Sequence, residues 1–107
     1  MSPARNAAYT YVPEEMRTTI PKLYTTDGES DPNVWVKLFT PDSIWSWYVI
    51  EWDGDDLCFG FVVGHDQELG YFSLAEIDGV RGGLGLPVER DLYFTPCPLS
   101  NVRQRHA

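Results

Sequence analysis

The stretch from Trp45 to Gly64 constrains the fold more than any other part of the sequence. Two apolar runs, IWSWYVIEW and LCFGFVV, flank the polar turn DGDD, which is centred on Asp53-Gly54. Asp-Gly accepts the positive φ angles of tight hairpin turns, and aromatic and β-branched residues favour strands. The stretch therefore predicts a β-hairpin, and three of the four tryptophans lie on its first arm.

Alternation along the two arms assigns their side chains to the faces of a sheet. The first arm is predicted to carry one set on one face, namely Trp45, Trp47, Val49 and Glu51. Its other face is predicted to carry Ser46, Tyr48, Ile50 and Trp52. On the second arm, the residues predicted to face the core are Leu57, Phe59, Phe61 and Val63.

Shorter segments predict the other elements. They are a helix over 13–20, strands over 34–39, 69–72 and 91–94, and a two-turn helix that begins with the capping box of Ser73 and Glu76. Strands joined by tight turns pair antiparallel. The sequence thus predicts an α+β fold, a twisted antiparallel sheet of about four to five strands with short helices packed on one face or edge.

Length and the character of the two ends predict the domain organisation. A chain of 107 residues forms one domain. Residues 1–12 and 101–107 lack an apolar period, which predicts a flexible N-terminal arm and a polar C-terminal tail around a single domain over 13–100.

Hydropathy and cysteine usage indicate the compartment. No apolar run approaches the roughly 20 residues that span a bilayer, and the N-terminus lacks the apolar core of a secretory signal. Cys58 alternates with core-type residues and predicts a buried thiol; a disulfide with Cys97 or a catalytic thiol is the alternative. We expect a cytoplasmic protein without a membrane partner.

The charge is strongly acidic and unevenly distributed. The net charge is −8, and no Lys or Arg occurs between Lys37 and Arg81. That interval contains nine carboxylates: Asp42, Glu51, Asp53, Asp55, Asp56, Asp66, Glu68, Glu76 and Asp78. Such a field repels nucleic-acid phosphates and favours basic protein partners, so direct nucleic-acid binding is not expected. Solubility alone is the simpler explanation of the same pattern.

Several segments in the same order resemble a known family. They are LYTTDGESDP (23–32), VKLFTPDSIWSWY (36–48), ELGYFSLAEI (68–77) and GLPVERDLYF (85–94). Over about residues 13–100 the chain resembles the bacterial domain-of-unknown-function family DUF2958. The resemblance brings no catalytic residues, and it implies a small acidic protein of plasmids, integrative elements and phages.

Two polar segments are candidates for metal chemistry. Asp53, Asp55 and Asp56 could ligate Ca²⁺, but an EF-hand needs further ligands and this run continues directly into a strand, so a solvated hairpin turn is the preferred interpretation. His65, Asp66 and Glu68 could form a metal or acid–base site, or simply a polar loop between strands. We predict no catalytic residue, metal or cofactor.

Two further segments are expected to be structural. The Gly-rich run over 81–85 matches neither the Walker pattern nor the G-x-G-x-x-G pattern of phosphate-binding loops, so its glycines predict tight turns. Arg90, between Glu89 and Asp91, is expected to form an ion pair that holds its loop to the sheet.

The tryptophans suggest a binding surface, because not every ring can enter one core. An exposed Trp patch surrounded by carboxylates would anchor a protein partner, unless helices or loops cover both faces of the sheet. The residues predicted to bind are Trp45, Trp47, Trp52, Asp53, Asp55, Asp56, Asp66 and Glu68.

These observations favour a non-enzymatic acidic module of a mobile element that binds a basic protein surface. The most specific form of this hypothesis is that the module imitates nucleic acid and inhibits a host defence nuclease or an RNA-guided complex. The alternative is a small metal-dependent hydrolase or nuclease that uses His65, Asp66 and Glu68. A self-associating subunit, such as a homodimer, is a third hypothesis.

Overall fold

The structure is a computed structural model that describes residues 7–107. The strands are β1 (Asn33–Val34), β2 (Val36–Phe39), β3 (Ser46–Trp52), β4 (Leu57–Val63), β5 (Gln67–Ser73), β6 (Glu89–Arg90) and β7 (Cys97–Pro98). The helices are α1 (Ala7–Tyr11), a 3-10 helix (Glu14–Met16), α2 (Leu74–Asp78) and α3 (Leu99–Arg105).

Five of these strands form one antiparallel sheet in the order β5-β4-β3-β2-β6, and β1 pairs with β7 in a small second sheet. The predicted α+β class and antiparallel sheet are confirmed. In this order, β5 and β6 are the two edges, and the predicted hairpin, β3 and β4, lies inside the sheet.

The hairpin turn forms where the sequence predicts it. Gly54 has a φ of 90°, and the amide of Asp53 donates to the Leu57 carbonyl over 2.9 Å. The Asp53 carboxylate accepts hydrogen bonds from the amides of Asp55 and Leu57, over 2.8 and 3.2 Å. These bonds fix the tip of the hairpin, so Asp53 has a structural role.

A β-bulge in β3 changes the predicted assignment of faces. Val49 pairs with Gly60 and Glu51 pairs with Phe59, so Ile50 is an additional residue on its strand. An additional residue reverses the side-chain alternation that follows it. The prediction from strict alternation is therefore wrong for the last two positions: Trp52 packs with Trp47, and Glu51 turns to the opposite face.

Both faces of the sheet are covered. On one, which we call the α2 face, side chains of α1 and α2 pack on β2, β3 and β4; they include Tyr11, Leu74, Leu38, Trp47, Trp52 and Cys58. On the other, the α3 face, Leu99 and Val102 of α3 pack on Tyr48, Ile50, Phe61 and Val63. The predicted core strand β4 thus contributes to two cores, and Cys58 is the buried thiol that the sequence predicted.

Both ends of the described chain contribute to these cores. In the predicted N-terminal arm, Ala8, Tyr11 and Val12 are buried; residues 1–6 of that arm lie outside the described residues. In the predicted tail, Val102 is fully buried, because Leu99 and Val102 are three residues apart and share one face of α3.

Three predicted elements differ in the structure. The strand predicted over 34–39 is divided at Trp35 into β1 and β2, which belong to different sheets. Of the helix predicted over 13–20, only the 3-10 helix Glu14–Met16 is present. Short isolated helices have marginal stability, and the β-branched Thr18 and Thr19 disfavour helix. The strand predicted over 91–94 is a turn, because the Asp91 carboxylate accepts the amide of Tyr93 over 2.9 Å and competes with strand pairing. The pairing residues are Glu89 and Arg90 of β6.

Polar contacts hold α3 at both of its ends. At its beginning, the Asp31 carboxylate accepts bonds from the Ser100 amide and hydroxyl, over 2.8 and 2.7 Å. These bonds lower the pKa of Asp31. After its end, His106 Nε2 lies 2.7 Å from the Tyr48 hydroxyl, and Gln67 Nε2 donates to the His106 carbonyl over 2.7 Å. The helix is thereby fixed across the α3 face.

The His106 contact predicts a pH dependence of folding. Burial, and then the charges of Lys37 and Arg105, lower the pKa of His106 below its ordinary 6.5. The unfolded chain therefore binds this proton more readily. The stabilisation is present above pH 6.5 and is lost as the pH falls through the lower folded-state pKa. We expect the urea midpoint to fall below pH 6.5, and to fall less in a His106→Gln variant.

The matched control is His65→Gln, which removes the exposed histidine of the β4–β5 turn. It should retain the wild-type pH dependence. An equal pH dependence in His106→Gln and in the wild type would contradict the assignment.

Candidate functional site

Glu51 is the most deeply buried carboxylate of the described chain, with 1% of its surface exposed. Its oxygens accept bonds from the amides of Tyr24 and Thr26, over 2.7 and 2.8 Å, and from the Thr26 hydroxyl over 2.5 Å. A charged acceptor with several donors is a strong structural contact. Glu51 therefore ties the loop before β1 to the sheet and is not available to a partner.

Other carboxylates of the acidic interval also stabilise the fold. Asp56 accepts bonds from the Ser73 hydroxyl and the Ala75 amide, over 2.5 and 2.8 Å, at the beginning of α2. Ser73 itself accepts from the Glu76 amide, so it is the predicted N-cap, but the Glu76 carboxylate does not return a bond to complete the predicted capping box. Asp42 accepts from the amides of Leu84 and Leu86 and so holds the Gly-rich loop.

Four carboxylates of that interval remain outside such contacts: Asp55, Asp66, Glu68 and Glu76. Their residues are exposed, and their side chains form no hydrogen bond or ion pair with another described residue. The gap in basic residues is not preserved in space, because Lys22 Nζ lies beside Gly54 in the hairpin turn. The free acidic surface is therefore smaller than the sequence interval suggests.

The predicted tryptophan anchors are mostly interior. Trp47 and Trp52 are 8% and 4% exposed, and Trp52 Nε1 donates to the Asp55 carbonyl over 3.0 Å. Both are therefore core residues, which corrects their prediction as binding residues. Trp45 is 36% exposed, and its ring stacks on Trp47 at a centroid distance of 6.2 Å.

The predicted metal and ion-pair segments take simpler roles. Among the described residues, no group of three or more His, Cys, Asp or Glu side chains could hold a metal ion, so His65, Asp66 and Glu68 do not form such a group. His65 instead contacts the Trp45 ring edge-on at 6.0 Å. The ion pair at Asp91 is formed with Lys37, at 3.9 Å, and not with Arg90 as predicted.

Edge strand β5 presents an apolar surface beside the free carboxylates. Leu69 and Tyr71 are 44% and 51% exposed on the α3 face. The Tyr71 ring contacts Phe59 at 5.1 Å and Tyr24 at 6.1 Å between centroids, so it is held in place. Exposed aromatic side chains fixed by their neighbours are typical of protein interfaces.

A groove of about 190 Å³ lies next to this strand on the α3 face. Its apolar lining comes from Ile50, Phe59, Leu69 and Leu99. Its rim carries Asp27 and Glu29 from the loop that Glu51 holds, and Arg103 from α3, whose guanidinium lies 4.8 Å from the Phe61 ring centre. The groove has the size of one or two side chains and an acidic wall.

Leu69, Tyr71 and Tyr24 were not predicted as site residues. One sequence signal was available: the strand over 69–72 is the last of three strands joined by tight turns, and the last strand of such a meander is often an edge. Of the predicted binding residues, five are exposed: Trp45, Asp53, Asp55, Asp66 and Glu68. The Asp53 carboxylate is engaged in the hairpin turn. Asp66 and Glu68 lie at the beginning of β5, and Trp45 lies at the beginning of β3.

Comparison with known proteins identifies a family but no activity. The model of a family described as "Protein of unknown function (DUF2958)" matches residues 12–105. No curated protein and no solved structure is significantly similar to the chain. Within residues 7–107, the helices are too short and too polar to cross a membrane. The chain belongs to the DUF2958 family.

Proposed function

We propose that this member of the DUF2958 family is a non-enzymatic acidic module that binds a basic surface of another protein. One observation carries the proposal. The exposed edge strand β5 combines fixed apolar side chains with carboxylates that no described residue neutralises. Apolar anchors supply binding energy, and unpaired charges at the rim select an oppositely charged partner.

The carboxylates surround β5 on several sides. Asp66 and Glu68 lie at its beginning, and Asp55 and Glu76 lie beyond its end, beside the cap that Asp56 forms on α2. Asp27 and Glu29 border the groove on the α3 face. A basic partner would gain attraction wherever it crosses this strand.

A more specific version of the proposal concerns the setting. A module of a mobile genetic element could use such a surface in place of nucleic-acid phosphates and occupy the channel of a host defence nuclease or RNA-guided complex. In that version Asp55, Asp66 and Glu68 supply the charge. Glu51 is buried, and the carboxylates of Asp53 and Asp56 accept hydrogen bonds within the fold, so we assign the direct contacts to the first three residues.

Charge reversal tests the proposal. A partner protein is first captured from host lysate. We expect the combined substitutions Asp55→Lys, Asp66→Lys and Glu68→Lys to lower the affinity for that partner at least about tenfold, mainly through slower association. The measurement is surface plasmon resonance with the purified partner at several salt concentrations. Affinity for the wild type should fall steeply as salt is raised.

The control reverses two carboxylates elsewhere, Glu14 and Glu15, which are exposed on the 3-10 helix, away from β5 in the sequence and outside the groove. This control should retain nearly all of the affinity. Equal losses in both variants, or an affinity indifferent to salt, would contradict a partner selected by this acidic surface.

A further inference from the structure

The outward-facing backbone groups of β5 can be assigned from the bonds at its two ends. The Leu74 amide donates to the Asp56 carbonyl, and the Gly64 amide donates to the Asp66 carbonyl, each over 2.9 Å. In an antiparallel pair, directly bonded positions alternate with non-bonded ones. Glu68, Gly70 and Phe72 therefore bond to β4, and the N–H and C=O groups of Gln67, Leu69, Tyr71 and Ser73 point away from the sheet.

The outward groups of Gln67, Leu69 and Tyr71 have no backbone partner among the described residues, whereas the Ser73 carbonyl belongs to the first turn of α2, of which Ser73 is the N-cap. The edge is seven residues long and its single in-strand charge is Glu68. Nothing lies within 4 Å of the position that a Gly70 side chain would take, so the α2 face of the strand is open at its middle. Natural proteins usually protect such edges, because they are templates for pairing with another strand.

The apolar residues and the groove lie on the side that an added strand would share. Leu69 and Tyr71 carry both the outward backbone groups and the exposed apolar side chains. A strand added beside them, roughly 4.8 Å away, would place alternate side chains on the α3 face next to Leu69, Tyr71 and the groove. Its backbone would supply affinity and its alternate side chains specificity.

Charge decides which strand fits. The surroundings of β5 are acidic, through Asp66, Glu68 and Glu76 around the strand and Asp27 and Glu29 at the groove. Arg103 is the cation that lines the groove.

A second copy would fit poorly. Self-pairing centred on Gly70 would bring Asp66 of each copy towards Asp56 and Glu76 of the other, and like charges at close range are unfavourable. A basic segment meets no such repulsion.

We propose that β5 binds an extended, basic segment of the partner protein by strand addition, with an apolar side chain of that segment against Leu69 and Tyr71 at the groove. The inference rests on the proposed function and adds its mode of recognition. The partner segment alternates basic and apolar residues and bonds to the backbone of Leu69 and Tyr71.

Amide exchange with synthetic peptides tests this mode. The isotope-labelled full chain is titrated with a capped peptide of about eight residues that alternates Lys and Val. The control peptide alternates Lys and Pro, which keeps the charge but removes strand pairing. We expect the Lys-Val peptide to slow amide exchange at Leu69 and Tyr71 at least about tenfold, because a strand forms new bonds there. Exchange at Glu68 and Gly70, already bonded to β4, should change little.

Two variants separate the backbone from the side chain. Leu69→Ala and Leu69→Pro both remove the leucine side chain, and only proline removes the outward N–H; proline is tolerated at edges where that N–H faces solvent. We expect Leu69→Pro to bind the Lys-Val peptide at least about fivefold more weakly than Leu69→Ala. Equal affinities would overturn strand addition.

The remaining outcomes distinguish this inference from the proposed function. Equal binding of both peptides without protection at Leu69 and Tyr71 would overturn strand addition and leave the acidic surface as the binding site. Concentration-dependent self-association that protects these two amides would show a second copy as the occupant and would also overturn the inference. Binding of neither peptide would overturn the inference, and the charge-reversal comparison would then decide the proposed function alone.

Discussion

A Glu51→Ala variant is expected to lose about 3 kcal/mol of its free energy of unfolding. The substitution leaves the amides of Tyr24 and Thr26 and the Thr26 hydroxyl without their buried acceptor. Bonds to a charged group contribute about 1.5–3 kcal/mol each, and abandoned donors lose their solvation as well. The contributions are not additive, since the loop can relax and admit water. Urea denaturation monitored by tryptophan fluorescence measures the loss.

The matched control is Glu68→Ala, which removes an exposed carboxylate that forms no hydrogen bond or ion pair with another described residue. It should change stability by less than about 0.5 kcal/mol. Glu51→Gln should fall between the two, because its amide retains one acceptor oxygen and presents a donor to other donors. A loss below about 1 kcal/mol in Glu51→Ala would contradict the role of Glu51 as the anchor of this loop.

The second large effect is expected for Gly60→Ala. A β-carbon at Gly60 would lie 1.9 Å from the Tyr48 carbonyl oxygen and 3.2 Å from Phe72 Cε1. Gly60 lies in β4, which is paired on both sides, and opposite the bulge in β3, so the backbone has little room to move. We expect a loss of about 3 kcal/mol or more. In a domain of this size that lowers the melting temperature by at least about 12 °C in calorimetry.

Its cross-strand partner provides the control. Gly70 pairs directly with Gly60, and a β-carbon there meets nothing within 4 Å. Gly70→Ala should therefore leave the melting temperature within a few degrees, on the order of 0.5 kcal/mol. Gly64→Ala should be intermediate, since its β-carbon meets the Trp45 ring, which is 36% exposed and can rotate away. Similar melting temperatures for Gly60→Ala and Gly70→Ala would contradict the described packing.

Local signals in the sequence predicted much of the fold. The Asp53-Gly54 turn, the hairpin and the N-cap Ser73 each depend on a few adjacent residues, and each is confirmed. The α+β class followed from the tight connections between strands. Family membership extends from residue 12 to residue 105, so it agrees with a domain that includes α3.

Contacts between distant segments were not predictable in the same way. The bulge at Ile50 depends on how β3 pairs with β4, and it reverses the faces of Glu51 and Trp52. Their residue types alone carry no signal for it. Similarly, the sequence around Val102 resembles a polar tail, and only the packing of α3 on the sheet shows that Val102 belongs to a core.

The candidate site shows the same division. The acidic interval was visible in the sequence, but the sequence could not separate carboxylates that bond within the fold from those that remain free. Asp56 caps a helix, whereas its neighbour Asp55 makes no side-chain contact with a described residue. Likewise, Leu69 and Tyr71 are exposed because β5 lies at an edge of the sheet, and the order of strands depends on contacts between distant segments.

The most direct test of a basic partner bound at β5 is amide exchange of the full chain in complex with its captured partner. Leu69 and Tyr71 report on an added strand, and Glu68 and Gly70 serve as internal references that β4 already protects. We predict that the partner slows exchange at least about tenfold at Leu69 and Tyr71 and that raised salt reverses the effect. A stable complex in which these two amides exchange as fast as in the free chain would contradict the account.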